Sequence, residues 1–133
     1  ELGITDNVIF TGFVSEKDKV EYLQKMHFVV NTSSKEGWGL TVVEANACKR
    51  TVIAANVQGL RDSVINGKTG LLYEFGNVNE LAEKILYLFE NPSVVEEYEK
   101  NALDWAKSFD WNIAAENTLK ILEDCIRKKN KSL

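Results

Sequence analysis

The stretch Glu36-Gly-Trp-Gly-Leu-Thr-Val-Val-Glu44 decides how the rest of the chain is read. Two carboxylates stand with seven residues between them, and a Gly-x-Gly break follows the first. Gly37 and Gly39 give the backbone a freedom that a helix interior would penalise, so the nine residues cannot all be one helix. Behind the break, Leu40–Cys48 can run as a helix. Glu36 then lies in the loop ahead of it, and Glu44 about one turn inside. Between them fall the free N–H groups and positive dipole end of a helix N-terminus, which suit an anion. A carboxylate on each side of a phosphate site can accept hydrogen bonds from hydroxyls on each side of a phosphate. A sugar nucleotide has that order: sugar, diphosphate, ribose.

Working outward, the chain alternates strands and helices. Val8–Gly12 reads as a short strand rich in β-formers, and Ser15–Met26 as a helix with Ser15 at its N-cap. His27–Asn31 is a near-continuous apolar run, as in a buried parallel strand. Thr51–Ala55 and Gly70–Tyr73 read as further strands, with a short helical segment over Gly59–Asn66 and a turn at Asn66-Gly67 between them. Helices follow over Val78–Glu90, Ser93–Lys107 and Trp111–Lys128. This alternation predicts an α/β class with a parallel, doubly wound, Rossmann-like sheet, followed by C-terminal helices. Such sheets bind ligands at the carboxyl ends of their strands, and Glu36–Glu44 falls after the His27–Asn31 strand.

The 133 residues suit one domain with a real core. A net charge of -4 argues against a nucleic-acid partner. The basic run Arg127–Lys131 suits a helix C-terminus, with an anionic membrane surface as the minor alternative. Cys48 and Cys125 make neither a disulfide framework nor a zinc site, and His27 is the only histidine, so no His-based metal site is expected. No apolar run approaches the ~20 residues of a membrane span. The chain opens on Glu1 rather than Met, as a piece of a longer protein would.

The ordered motifs resemble those of the retaining GT-B glycosyltransferases of group 1, which carry a Glu-x7-Glu motif. The resemblance rests on Val8-Ile-Phe-Thr-Gly-Phe-Val14, Ser33-Ser-Lys-Glu-Gly-Trp-Gly-Leu40 and Glu44-Ala-Asn-Ala47. It continues through Val52-Ile-Ala54, Gly59-Leu-Arg-Asp62, Asn66-Gly-Lys-Thr-Gly70 and the late Phe109-Asp-Trp111. It implies that residues 1–133 are the distal part of a C-terminal, nucleotide-sugar-binding domain. Its first two strands, with a phosphate-binding Arg and Lys, and a whole N-terminal domain would be missing. The implied reaction moves a sugar from a nucleoside-diphosphate sugar to a glycan or lipid acceptor, with no cofactor and no metal. The implied location is the cytoplasm, with possible peripheral membrane contact of the parent enzyme. This chain alone would be inactive.

By the same resemblance, Glu36 would contact donor-sugar hydroxyls as the catalytic-site carboxylate, and Glu44 the ribose diol. The segment Gly37-Trp-Gly-Leu-Thr41 would bind the donor, with the N–H groups of Gly39, Leu40 and Thr41 on sugar and diphosphate. Gly12, Phe13 and Val14 would form the nucleobase edge. Trp38 either lines the sugar pocket or covers apolar surface. Thr69 and Asp62 match the pattern but also suit plain loop geometry. Relatives carry Ala-x-Gly-x-Pro-Val where this chain has Ala47-Cys-Lys-Arg-Thr-Val52, which removes a ready left-handed helix stop and a rigid strand entry. One alternative is a non-catalytic nucleotide-sugar-binding or scaffold module of the same fold. Another, a sugar-nucleotide epimerase, would need a Gly-x-Gly-x-x-Gly loop that the sequence does not carry.

Overall fold

A computed structural model of the chain describes residues 2–130. After a 3-10 turn at Thr5–Asn7 the elements run α1 (Glu16–Lys25), β1 (Val29–Asn31), α2 (Leu40–Ala47), β2 (Val52–Ala55) and α3 (Leu60–Ser63). They continue with β3 (Gly70–Tyr73), α4 (Val78–Glu90), α5 (Pro92–Lys107) and α6 (Trp111–Asn130). The three strands form one parallel sheet in the order β1-β2-β3. Val29 stands beside Val52, and Val52 beside Gly70. Parallel neighbours need crossovers, and α2 and α3 supply them. Strand β2, Val-Ile-Ala-Ala, is buried along its whole length because it has a neighbour on each side and helices over it.

Local chemistry sets the helix starts. The Ser15 hydroxyl oxygen accepts the Asp18 N–H at 3.2 Å, and Glu16 and Asp18 suit the positive end of α1. The Asn77 side chain caps α4 by accepting the Glu80 N–H at 3.1 Å. Helix α5 begins at Pro92, one residue before the expected Ser93, because proline is well suited to the first helical position. Asp110 opens α6 by accepting the Asn112 N–H at 2.7 Å. The basic residues Arg127, Lys128 and Lys129 lie in the last turn of α6, and Lys131 is outside the described residues.

Two expectations about strands need correction. Val8–Gly12 is not a strand: it carries no ladder, and Ile9 and Phe10 stand almost wholly exposed. β-forming residues make a strand only beside a partner, and none of the described residues lies alongside. The sheet therefore has three strands rather than four. The second correction is to His27–Asn31. The strand starts at Val29, is only half-buried, and lies at the sheet edge with β2 as its single neighbour. His27 precedes it and rests its ring 6.0 Å from that of Phe89.

The core is built from Val42, Val52, Ile53, Leu60 and Leu88, with Ala45, Ala54 and Ala55 between them. Helix α2 faces it with Val42, Ala45 and Asn46, the i, i+3, i+4 stripe of a buried helix face, and packs on α5. Asn46 is wholly buried, and neither of its amide atoms has a hydrogen-bond partner.

The turn from α2 to β2 is built without the Gly and Pro of the family pattern. Lys49 takes the left-handed conformation itself, with φ 59°, alone among the described non-glycine residues. Arg50 then locks the turn. Its guanidinium donates to the carbonyls of Leu23 and Gln24 at the end of α1, to Lys49 O, and to Glu99 Oε1 at 2.7 Å on α5. The Thr51 hydroxyl donates to Thr69 O at 3.0 Å, which ties the entry of β2 to the entry of β3.

Candidate functional site

The Glu36–Glu44 segment lies where β1 ends and α2 begins, at the carboxyl edge of the sheet. Helix α2 starts at Leu40, as the glycine break predicts. Gly39 is its N-cap, with φ 81° and ψ 50°, and no side chain caps the end. The first intrahelical bond runs from Val42 N–H to Gly39 O at 2.9 Å, so the N–H groups of Leu40 and Thr41 precede it. Both residues are exposed. A Cβ at Gly39 would lie 2.6 Å from Ser63 Oγ, so the residue must be glycine for space as well as for its left-handed backbone. The Asn31 amide donates to Thr41 Oγ1 at 3.0 Å, while its Oδ1 accepts the Ser33 N–H. The end of β1 thus fixes both the loop and the first turn of α2.

Glu36 is half-buried in the loop ahead of the helix. Its N–H donates to Gln58 O at 3.4 Å, and its backbone presses on Gly59. A Cβ at Gly59 would stand 2.3 Å from Glu36 O, and Gly59 holds φ 87°. Only glycine allows this approach. Gly59 belongs to a motif that marks the family resemblance, yet nothing in the sequence says that it braces Glu36. Asp62 holds Gly59 in turn, accepting its N–H at 3.3 Å, and Thr69 Oγ1 accepts the Ile65 N–H at 2.9 Å. Both side chains set loop geometry.

Glu44 lies four residues beyond Leu40, on the same face of α2. Its Oε1 takes a hydrogen bond from Lys19 Nζ on α1 at 3.1 Å. Lys19 also reaches Glu16 at 2.8 Å, and these two carboxylates, Glu16 first, hold its ammonium pKa above the ordinary value. Sequence reading missed Lys19, because a partner 25 residues away on another helix leaves no local signal. Gly12–Val14 leads straight into α1, and Phe13 is 99% exposed.

Trp38 is half-buried. Its ring meets Phe109 edge-on at 4.5 Å, and Phe109 meets Trp105 at 4.7 Å. Trp105 is anchored by its indole N–H to Ser63 O at 2.9 Å. Trp38 therefore covers apolar surface, and it also lines a cavity of about 420 Å³ with Leu40, Val43, Phe109 and, from the start of α6, Trp111, Ile113 and Ala114. Phe109, noted in the sequence only as part of an aromatic mark, is the link between the glycine loop and α5. Among the described residues no cluster of three or more His, Cys, Asp or Glu could hold a metal ion, and no helix is long and apolar enough to cross a membrane.

A parallel sheet with helix N-termini and carboxylates at its carboxyl edge is the architecture of a Rossmann-like domain, and solved GT-B glycosyltransferases share it. The structure of Anabaena HepE in complex with UDP matches with a TM-score of 0.84 at 28% identity, over 92% of this chain and 34% of that one. Staphylococcus aureus TarM, in a variant complexed with fondaparinux, alpha-GlcNAc-glycerol and UDP, matches with a TM-score of 0.78 at 30% identity, over 88% and 24%. Residues 1–105 match the family described as glycosyl transferases group 1. The chain belongs to that family. A glycosyltransferase of Methanocaldococcus jannaschii is 36% identical over 113 residues, which are 85% of this chain and 32% of that protein. The N,N'-diacetylbacillosaminyl-diphospho-undecaprenol alpha-1,3-N-acetylgalactosaminyltransferase of Campylobacter jejuni is 33% identical over 85% and 30%. The chain thus spans about a third of the length of these relatives.

Proposed function

We propose that the chain is the donor-binding part of a retaining glycosyltransferase that transfers a sugar from a nucleoside-diphosphate sugar to a glycan or lipid acceptor. One observation carries this reading: the uncapped start of α2 at Gly39–Thr41 is flanked by Glu36 on its loop side and Glu44 one turn in. Backbone donors at a helix start are already oriented toward a diphosphate leaving group, where negative charge develops as the glycosyl bond breaks. Ionised carboxylates only accept hydrogen bonds, which suits them to sugar hydroxyls and a ribose diol. Glu36 takes the sugar side and Glu44 the ribose side. Trp38 walls the donor pocket, and Gly12–Val14 offers the nucleobase edge. Neither carboxylate acts as a nucleophile, and no cofactor or metal is required.

The UDP complexes of the HepE and TarM structures support a nucleotide-sugar donor. The diphospho-undecaprenol-linked acceptor named for the Campylobacter relative supports a lipid-linked acceptor. Kinetics on the whole enzyme with varied donor test the division of roles. Glu36→Gln should lower turnover more than donor affinity, because a sugar contact can strengthen in the transition state. Glu44→Ala should mainly weaken donor binding. Equal effects of both changes on both parameters would refute the assignment, and full activity of both variants would favour a module whose chemistry lies elsewhere.

A further inference from the structure

Glu44 is a half-buried helical glutamate whose side chain is 42% accessible. Left alone, such a side chain samples many rotamers, and a ligand that needs one of them must pay to order it. Glu44 is not left alone. Lys19 comes from a different helix, so the contact is no accident of neighbouring turns. Its ammonium is itself held from the rear by Glu16, one turn earlier on α1. The ion pair is too exposed to add much stability. Its effect is geometric. Lys19 takes one lone pair of Oε1, and the rest of the carboxylate keeps enough acceptor sites for two hydroxyls.

We propose that Lys19 is a positioning residue for the nucleotide ribose: it holds the Glu44 carboxylate in the orientation that accepts both hydroxyls of the diol. This rests on Glu44 being the ribose contact. Lys19 lies on the helix that Gly12–Val14 leads into, so α1 sets the nucleobase edge and the ribose carboxylate together.

The test compares UDP with its 2′,3′-dideoxy analogue, which has no diol to offer Glu44. Both are titrated into the whole enzyme that carries this chain, and binding is followed by calorimetry. The unaltered enzyme should prefer UDP by about tenfold or more, the worth of a hydrogen bond to a charged acceptor. Glu44→Gln should shrink that preference severalfold. Lys19→Met should cut it by about threefold, the cost of ordering one free side chain, with no change in the fold or in affinity for the dideoxy analogue. Lys19→Arg should restore most of it. A preference that survives Lys19→Met but collapses in Glu44→Gln overturns the role of Lys19 and leaves that of Glu44. A preference that survives Glu44→Gln overturns the ribose assignment, and the proposal with it. Equal weakening of both nucleotides in Lys19→Met would show that the ammonium acts on the phosphates or the fold instead, and would also overturn it.

Discussion

Asn46 should be a site where removing polarity stabilises the protein. The side chain is fully buried on the core face of α2, between Val42 and Ala45 and the packed surface of α5, with both amide atoms unpartnered. Burying an amide without hydrogen bonds costs about 1–3 kcal/mol on the scale of protein mutations. Asn46→Leu keeps the branching at Cγ and the number of heavy atoms, so it removes that cost with little new volume to accommodate. Taking ~2 kcal/mol, a domain of this size should gain about 6–10 °C in Tm. The urea midpoint should rise by about 1 M if m is near 2 kcal/mol/M. Urea denaturation of the parent, Asn46→Leu and Asn46→Ala measures it. The leucine variant should be the most stable of the three, because Asn46→Ala also removes packing atoms. An Asn46→Leu midpoint below that of the parent, at unchanged m, would mean that the amide is satisfied in solution and that the reasoning fails.

Lys49→Gly should raise stability by about 0.5–1 kcal/mol, since a left-handed non-glycine residue costs about 1–2 kcal/mol and glycine returns part of that as chain entropy; equilibrium unfolding reads the sign directly. Gly59→Ala should lose at least about 1–3 kcal/mol through backbone strain alone, with more from the clash on Glu36 O. Amide shifts concentrated in residues 33–41 would show that the Glu36 loop moved; an alanine variant as stable as the parent would mean that the loop yields freely. Burial, then Tyr87 and Glu97, holds the Tyr98 phenol above its ordinary pKa. Its folded pKa exceeds the unfolded one, so stability is unaffected below about pH 10 and falls above it as the unfolded chain ionises first. Tyr98→Phe should make that alkaline fall shallower in unfolding curves taken at a series of high pH values.

Much of this was legible because strong local signals agreed with the tertiary outcome. Ser15 starts α1 for a reason that lies within one turn of it, and the helix over Val78–Glu90 keeps its expected bounds. The Gly37–Gly39 break places the start of α2 at Leu40. What misled was context. Val8-Ile-Phe-Thr-Gly12 has the composition of a strand, but a strand is a relation between two segments, and pattern alone does not say whether the second is present. The same limit shortened β1 and left it half-buried. At the candidate site, the placing of Glu36 on the loop and Glu44 inside the helix could be read from the glycine break, whereas the residues that hold them could not. Lys19, Gly59, Asn31 and Phe109 act across separations that periodicity does not encode. At the turn Lys49–Thr51, Arg50 supplies four hydrogen bonds, two to the end of α1, one to α5 and one to Lys49 within the turn, which the sequence pattern does not show.

Helix α1 contributes only Leu23 to the core and is otherwise fastened at its two ends. Lys19 grips α2 near the front, in the open, where added salt screens the attraction over about 8–10 Å. Arg50 grips the rear through carbonyls and a pair whose side chains are only 21% and 15% exposed, where screening is weaker. The helix is thus hung like the leaf of a hinge. Rising ionic strength loosens its free edge and leaves the knuckle at Leu23–Gln24 fastened. Gly12–Val14 rides on that free edge, so salt should loosen this segment before it disturbs the glycine loop or the sheet.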